Sequence, residues 1–261
     1  MDSRPVGIFD SGVGGLSVLK HFQLLAPNER AVYFADTAYF PYGPRPAAEV
    51  RKRSFAIVNR LLASDVKMIV VACNTASAAA IADLREAFPL PFVGMVPGLK
   101  PAASASKSGR VAILATSGTL DGDLYARVLE DFGRSAHIAN VPGHGLAELV
   151  EAGGAGTANS RRTVRAALED EVTAGADTVV LGCTHYHFLT ADILAEFPGV
   201  TIVDTSGAVA RRVVQVLDQD GLRAPAAQTG SLDLIVSGDQ AQFRATMSAL
   251  GFEPTPPEAA P

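Results

Sequence analysis

The chain has 261 residues, 48% of them hydrophobic and 19% charged, which provides enough apolar surface for one large core or two modest ones. Its formal net charge is -5 and it has no basic run, which excludes a general attraction to nucleic acid or anionic lipid and leaves a small anion to be held by local donors. The longest mainly apolar region, 68–82, is broken by Asn74, Thr75 and Ser77 and is too short and polar to span a bilayer; no apolar leader follows Met1, so a cytoplasmic protein is expected.

Taken in chain order, apolar and β-branched runs predict strands at 6–9, 31–35, 68–72, 92–95, 111–115, 136–141, 178–182, 201–203 and 232–236. Segments of helical period alternate with them. Val50, Ile57, Val58 and Leu61 share one face of a helix that Pro46 can open, and Val209, Val213, Val216 and Leu217 do the same later. This alternation predicts an α/β fold, a parallel sheet covered by helices on both faces. The tail, 254–261, has no core-forming residue and is expected to be disordered.

A weak internal repeat sharpens the reading. Val6-Gly-Ile-Phe-Asp-Ser-Gly12 is similar to Val111-Ala-Ile-Leu-Ala-Thr-Ser-Gly118, and Val70-Val-Ala-Cys-Asn-Thr75 to Val179-Val-Leu-Gly-Cys-Thr184. The repeat predicts two similarly built halves, each with a strand that leads into a hydroxyl-and-glycine turn and a later strand that ends at a cysteine. The crossover is expected near 97–101. The predicted units are 1–97 with 208–253, carrying Cys73, and 98–207, carrying Cys183.

In open parallel sheets, ligands bind beyond the carboxyl ends of the strands. Polar turns at such ends are Asp10-Ser11-Gly12, Asp36-Thr37 with Pro41-Tyr42-Gly43, Cys73-Asn74-Thr75, Cys183-Thr184-His185 and, from the second half, Thr116 to Thr119. The chain has only two cysteines, and in a reducing compartment they are expected to be free thiols. Cys73 precedes an alanine-rich helical stretch, and a helix N-terminus there favours the thiolate. Cys183 has the same placement, with His185 as a proton partner. A single cysteine is commonly just a small buried hydrophobe; the matched pair argues against that here.

Asp10 and Asp36 also read as turn-forming caps. Gly12-Val-Gly-Gly15 matches neither the dinucleotide fingerprint nor the P-loop and reads as a turn that lets a small anion approach backbone N–H groups. His21 and His137 read as surface or packing residues, and His144 stays open. A zinc reading of Cys183, His185 and His187 is weaker, because the spacing matches no standard motif and Cys73 would have to supply the fourth ligand.

Together, Phe9-Asp-Ser-Gly-Val-Gly-Gly-Leu16, Ala35-Asp-Thr37 with Pro41-Tyr-Gly43, Ala72-Cys-Asn-Thr75 and Leu181-Gly-Cys-Thr-His185 resemble the glutamate racemase family, in order, from residue 6 to about 205. The resemblance implies two pseudo-symmetric α/β domains with the active site between them, and no pyridoxal phosphate, metal or nucleotide. It implies Cys73 and Cys183 as the proton donor/acceptor pair, with Asp10 assisting Cys73 and His185 assisting Cys183. Cys73 would deprotonate the D-isomer and Cys183 the L-isomer. It implies glutamate held by Asp10, Ser11, Tyr42, Gly43, Asn74, Thr75, Thr184 and His185, with Asp36, Thr116 and Glu151 as auxiliaries. The implied product is D-glutamate for bacterial peptidoglycan synthesis. Two departures stand out: Tyr39 occupies a position where arginine is common, and 140–148 replaces a more apolar stretch. Glu151 is the better placed auxiliary acid, with Glu148 the alternative.

Racemisation needs one group to remove the α-proton on one face and another to return a proton on the other. An unperturbed thiol, with a pKa of about 8.5, allows thiol and thiolate to coexist near neutrality. An aspartate or broad-specificity racemase, a non-catalytic binder of a small anion and, less well supported, a cysteine hydrolase are the competing readings. The sequence points to no nucleic acid or membrane partner and leaves a homodimer open.

Overall fold

The central strands are apolar on both faces. Val-Gly-Ile-Phe-Asp of β1 (Val6–Asp10) and Ala-Val-Tyr-Phe-Ala of β2 (Ala31–Ala35) are buried at every residue, as a parallel sheet covered by helices requires. The same holds for β3 (Met68–Val71) and, in the second half, β7 (Thr178–Gly182), with β5 (Arg110–Ala115) buried beyond its first residue. The edges are shorter or half-exposed: β4 (Phe92–Val93), β6 (His137–Pro142), β8 (Thr201–Val203) and β9 (Leu232–Val236). The computed structural model describes residues 1–132 and 135–252; the tail at 254–261 lies outside the described residues.

The strands form two parallel sheets, a five-stranded one of order β4-β3-β1-β2-β9 and a four-stranded one of order β6-β5-β7-β8. Read from its other edge, the second is β8-β7-β5-β6, which is the first four-strand order with each strand replaced by its repeat. The α/β class and the strand-level repeat are thus both present. β9 joins the first sheet beside β2, although it comes after the whole second sheet in sequence.

The helices are α1 (Leu16–Leu25), α2 (Ala47–Leu62), α3 (Asn74–Ala87), α4 (Leu99–Ala105), α5 (Ser117–Leu120), α6 (Asp123–Phe132), α7 (Leu146–Glu151), α8 (Ala158–Thr173), α9 (Thr190–Glu196), α10 (Ser206–Gln219) and α11 (Gln240–Ala249). The stripe Val50, Ile57, Val58, Leu61 is buried on α2, and Val209, Val213, Val216, Leu217 on α10. One apolar cluster runs from Ile8, Leu16 and Phe22 through Val209 and Val213 to Leu114, Leu181 and Tyr186, so the halves share a core. The strand expected at 92–95 stops at Val93, where Met95 N–H turns to donate to Ser77 Oγ at 2.9 Å instead of extending the ladder. Among the described residues, no helix is long and apolar enough to cross a membrane.

Candidate active site

The carboxyl ends of β1, β3, β5 and β7 converge on a cavity of about 140 Å³. From the first half, Ser11, Tyr42, Gly43, Cys73, Asn74 and Thr75 line it; from the second, Thr116, Cys183, Thr184 and His185 do. Both sulfurs belong to buried, free cysteines. The volume is below the roughly 300–1,000 Å³ of pockets for drug-sized ligands, and suits a small metabolite. Of the thirteen residues singled out in the sequence, Asp10, Asp36 and Glu151 stand behind this wall instead of in it.

Cys73 and Cys183 have nearly the same extended backbone, φ -141° and ψ 123° against φ -146° and ψ 136°. The segments after them differ. Beyond Cys73, Asn-Thr and a run rich in alanine form the 14-residue α3, whereas Thr-His-Tyr-His-Phe-Leu after Cys183, β-branched and aromatic, makes a 3-10 helix over Thr184–Leu189. The expectation that a helix N-terminus makes Cys73 a ready thiolate is corrected here. Burial, and next the negative charge of Asp10, push the thiol well above its usual value, and the Ala76 backbone N–H only partly offsets them. The helix contributes one donor, while the carboxylate and the loss of water act on the same sulfur with larger effect.

Asp10 ends β1 with no exposed surface. Its Oδ1 accepts from Ser11 N–H and from Ser11 Oγ at 3.1 Å, and its Oδ2 from Thr184 Oγ1 at 2.9 Å, so the first half is tied to the turn that carries the other cysteine. Burial raises its pKa, although His185 and the Thr184 hydroxyl pull the other way. On the opposite side, His185 Nδ1 lies 3.8 Å from Cys183 Sγ and its Nε2 lies 2.7 Å from Glu151 Oε1. Burial opposes the imidazolium, but Cys183 and then Glu151 outweigh it and hold His185 well above its usual pKa.

One donor of the glycine turn is taken within the chain: Val13 N–H donates to Glu151 Oε1 at 2.6 Å. A Cβ on Gly12 would fall 1.8 Å from that oxygen, and one on Gly14 would fall 2.4 Å from Thr184 Oγ1 and 2.5 Å from His185 Nδ1. Glycine is required there by close approach. Of the two acids weighed near residue 150, Glu151 buttresses His185, while exposed Glu148 lines the cavity beside His144.

Asp36 is fully buried beneath the wall, where Arg53 donates to it at 2.6 and 2.7 Å and Tyr42 Oη donates as well. It orients Tyr42, and with it Gly43. Tyr39 lies over Arg53, 4.0 Å from guanidinium carbon to ring centroid. Thr75 and Thr116 join the halves with Oγ1 atoms 2.8 Å apart, and Thr119 lies 2.9 Å from Thr116. Asn74 is buried, yet neither its amide oxygen nor its nitrogen has a hydrogen-bond partner in the protein. Such a side chain in a cavity wall is poised for a ligand.

Two contributors were missed from the sequence. Arg53 sits on α2 seventeen positions from Asp36, with no local signal to mark the pairing. Phe40 packs its ring 5.4 Å from that of His185 and lines the cavity; its place directly before Pro41-Tyr42-Gly43 was the available clue.

A family model described as Asp/Glu/hydantoin racemase matches residues 16–213. The chain is 45% identical to a glutamate racemase of Deinococcus radiodurans over 249 residues, 94% of this chain and 86% of that one. Among solved structures it is similar to a glutamate racemase from Thermus thermophilus in complex with β-chloro-D-alanine, with TM-score 0.83 and 38% identity over 97% of this chain and 96% of the other. It is also similar to the Escherichia coli glutamate racemase in complex with L-glutamate and an activator, with TM-score 0.83 and 34% identity over 96% and 97%.

Proposed function

The chain belongs to the Asp/Glu/hydantoin racemase family and is an isomerase, and from that premise we propose that it interconverts L- and D-glutamate without a cofactor, using Cys73 and Cys183 as opposed acid/base groups. The observation that carries the reading is the pair of free cysteines at equivalent strand ends of the two sheets, both lining one small cavity. A thiolate on one face takes the α-proton, the C–H electron pair delocalises into the α-carboxylate, and the thiol on the other face gives its proton to carbon. The two sulfurs exchange protonation states in each turnover.

The unpartnered Asn74 amide, with the hydroxyls of Ser11, Thr75, Thr116 and Thr184, supplies donors for the substrate's carboxylates. Asp10 assists Cys73; His185, backed by Glu151, assists Cys183. The product, D-glutamate, would serve peptidoglycan synthesis. The testing experiment incubates metal-stripped protein, without cofactor, with L-glutamate and separately L-aspartate in deuterated water, and then separates the enantiomers for mass analysis. D-Glutamate carrying α-deuterium is expected. Exchange confined to aspartate would move the specificity, and no exchange with either would overturn the reading.

A further inference from the structure

The sequence marks a second histidine in the Cys-Thr-His-Tyr-His run, and the proposed chemistry does not use it. His187 Nδ1 makes a short contact with Asp204 Oδ2, on the turn between β8 and α10. The other oxygen of Asp204 accepts from Ser206 N–H at 2.8 Å. Ser206 Oγ lies 2.8 Å from that same oxygen and 3.0 Å from Ser17 Oγ on α1, and Ser17 Oγ lies 2.9 Å from the Gly14 carbonyl. The chain of contacts therefore starts beside the base-bearing turn of the second half and ends on the glycine turn of the first. Gly14 is the residue at which a Cβ would collide with Thr184, His185 and Asp10.

Ser206 has one O–H, and the Asp204 carboxylate, at 2.8 Å, is a stronger acceptor for it than the Ser17 hydroxyl at 3.0 Å. Ser206 is thus held to Asp204 by both its amide and its hydroxyl, its oxygen rests against Ser17, and Ser17 donates to the Gly14 carbonyl. His187 fixes the other oxygen of Asp204. Without His187 the carboxylate is free to turn, and Ser206 and Ser17 lose the fixed end of the chain. Other groups face this cluster: His21 of α1, its ring edge-on at 6.3 Å, and Arg211 of α10, which with His21 borders Gly207. Lys20 of α1 lies over Phe252, which packs on Phe188 next to His187. The carboxylate of Asp204 takes its hydrogen bonds from His187 and Ser206.

We propose that His187 is a positioning residue that anchors the Asp204–Ser206–Ser17 chain and thereby holds the glycine turn against the site between the two cysteines. The role rests on the racemase reading for its kinetic consequence but not for its structural one. His187→Ala is expected to lower kcat about tenfold in both directions with KM nearly unchanged, as for a small misplacement of reacting groups. His187→Gln, whose amide can still donate to Asp204, is expected to restore most of the loss. Ser17→Ala should reproduce the defect, and the double variant should be no worse than either single one, because both act through one chain. Additive losses, or an unchanged kcat in His187→Ala, would overturn the proposal. Should His187→Ala fail to fold, Ser17→Ala tests the far end of that chain of contacts alone. Amide exchange over residues 12–17 separates this idea from the racemase reading: it is expected to quicken in His187→Ala even if the wild-type protein racemises nothing tested. Equal exchange would rule out the coupling.

Discussion

Asp10 shows how a single buried carboxyl sets both stability and the state of its neighbours. Its carboxyl is fully buried, and burial raises its pKa above the ordinary 3.8. By linkage, its contribution to stability is fully present below pH 3.8 and is lost as pH rises through the higher folded value, so near neutrality the ionised group is a liability. The same charge helps to hold the Cys73 thiol up. Asp10→Asn is therefore expected to raise the thermal midpoint by about 2–4 °C, the shift of ~1 kcal/mol in a chain of this size. It should also move the pH profile of Cys73 alkylation, read in a Cys183→Ala background, to lower pH. On the proposed mechanism, in which Asp10 assists Cys73, racemisation should nevertheless fall. A lower midpoint together with an unmoved alkylation profile would show that the hydrogen bonds of Asp10, and not its charge, dominate.

The elements converge through turns so close that the sequence tolerates only glycine in them. At Gly14 a methyl group would stand 2.4 Å from Thr184 Oγ1 and 2.7 Å from Asp10 Oδ2, and the obstructing atoms belong to a buried turn that cannot swing away. Gly14→Ala should cost roughly 1–3 kcal/mol by overpacking and lower kcat/KM by at least about 100-fold, the effect of displacing catalytic groups by an ångström. Near-normal activity would mean the 3-10 helix at Thr184–Leu189 relaxes freely. This level of the structure was unevenly legible. Strands 31–35, 178–182, 201–203 and 232–236 keep their predicted bounds, because their apolar runs end where glycine or polar residues begin. The cysteine turns were legible because the repeat exposed them twice. Arg53 under Asp36 and the Phe40–His185 contact were not, since each joins residues that only tertiary packing brings together. The protonation of Cys73 was misjudged for the same reason: the helix N-terminus is local and visible, whereas burial and Asp10 act through space.

Across the whole molecule, the candidate site and a buried anchoring pair lie at opposite ends of the first sheet. Asp10, Asp36 and Cys73 stand at the carboxyl ends of their strands; Glu29 and Lys67 precede the amino ends of β2 and β3. There Lys67 Nζ donates to Glu29 Oε2 at 2.6 Å and to the Asp2 carbonyl at 2.8 Å, while Glu29 Oε1 accepts from Ala224 N–H at 2.8 Å. The pair ties the chain start and the segment that returns from α10 to β9 onto the base of the sheet. The two side chains are 0% and 2% exposed, so neither charge can recover its water if the partner is removed. Lys67→Met should therefore destabilise by about 3–5 kcal/mol, a large share of the roughly 5–15 kcal/mol that holds a typical domain together. Removing the stranded charge as well, in Lys67→Met with Glu29→Gln, should restore part of that loss. Because the lesion is a sheet-length from the cavity, KM and kcat measured well below the lowered midpoint should match those of the unaltered protein. A loss under about 1 kcal/mol by denaturant titration would show that water reaches the pair; a changed KM at full folding would show that the base of the sheet is coupled to the glycine turn at its top.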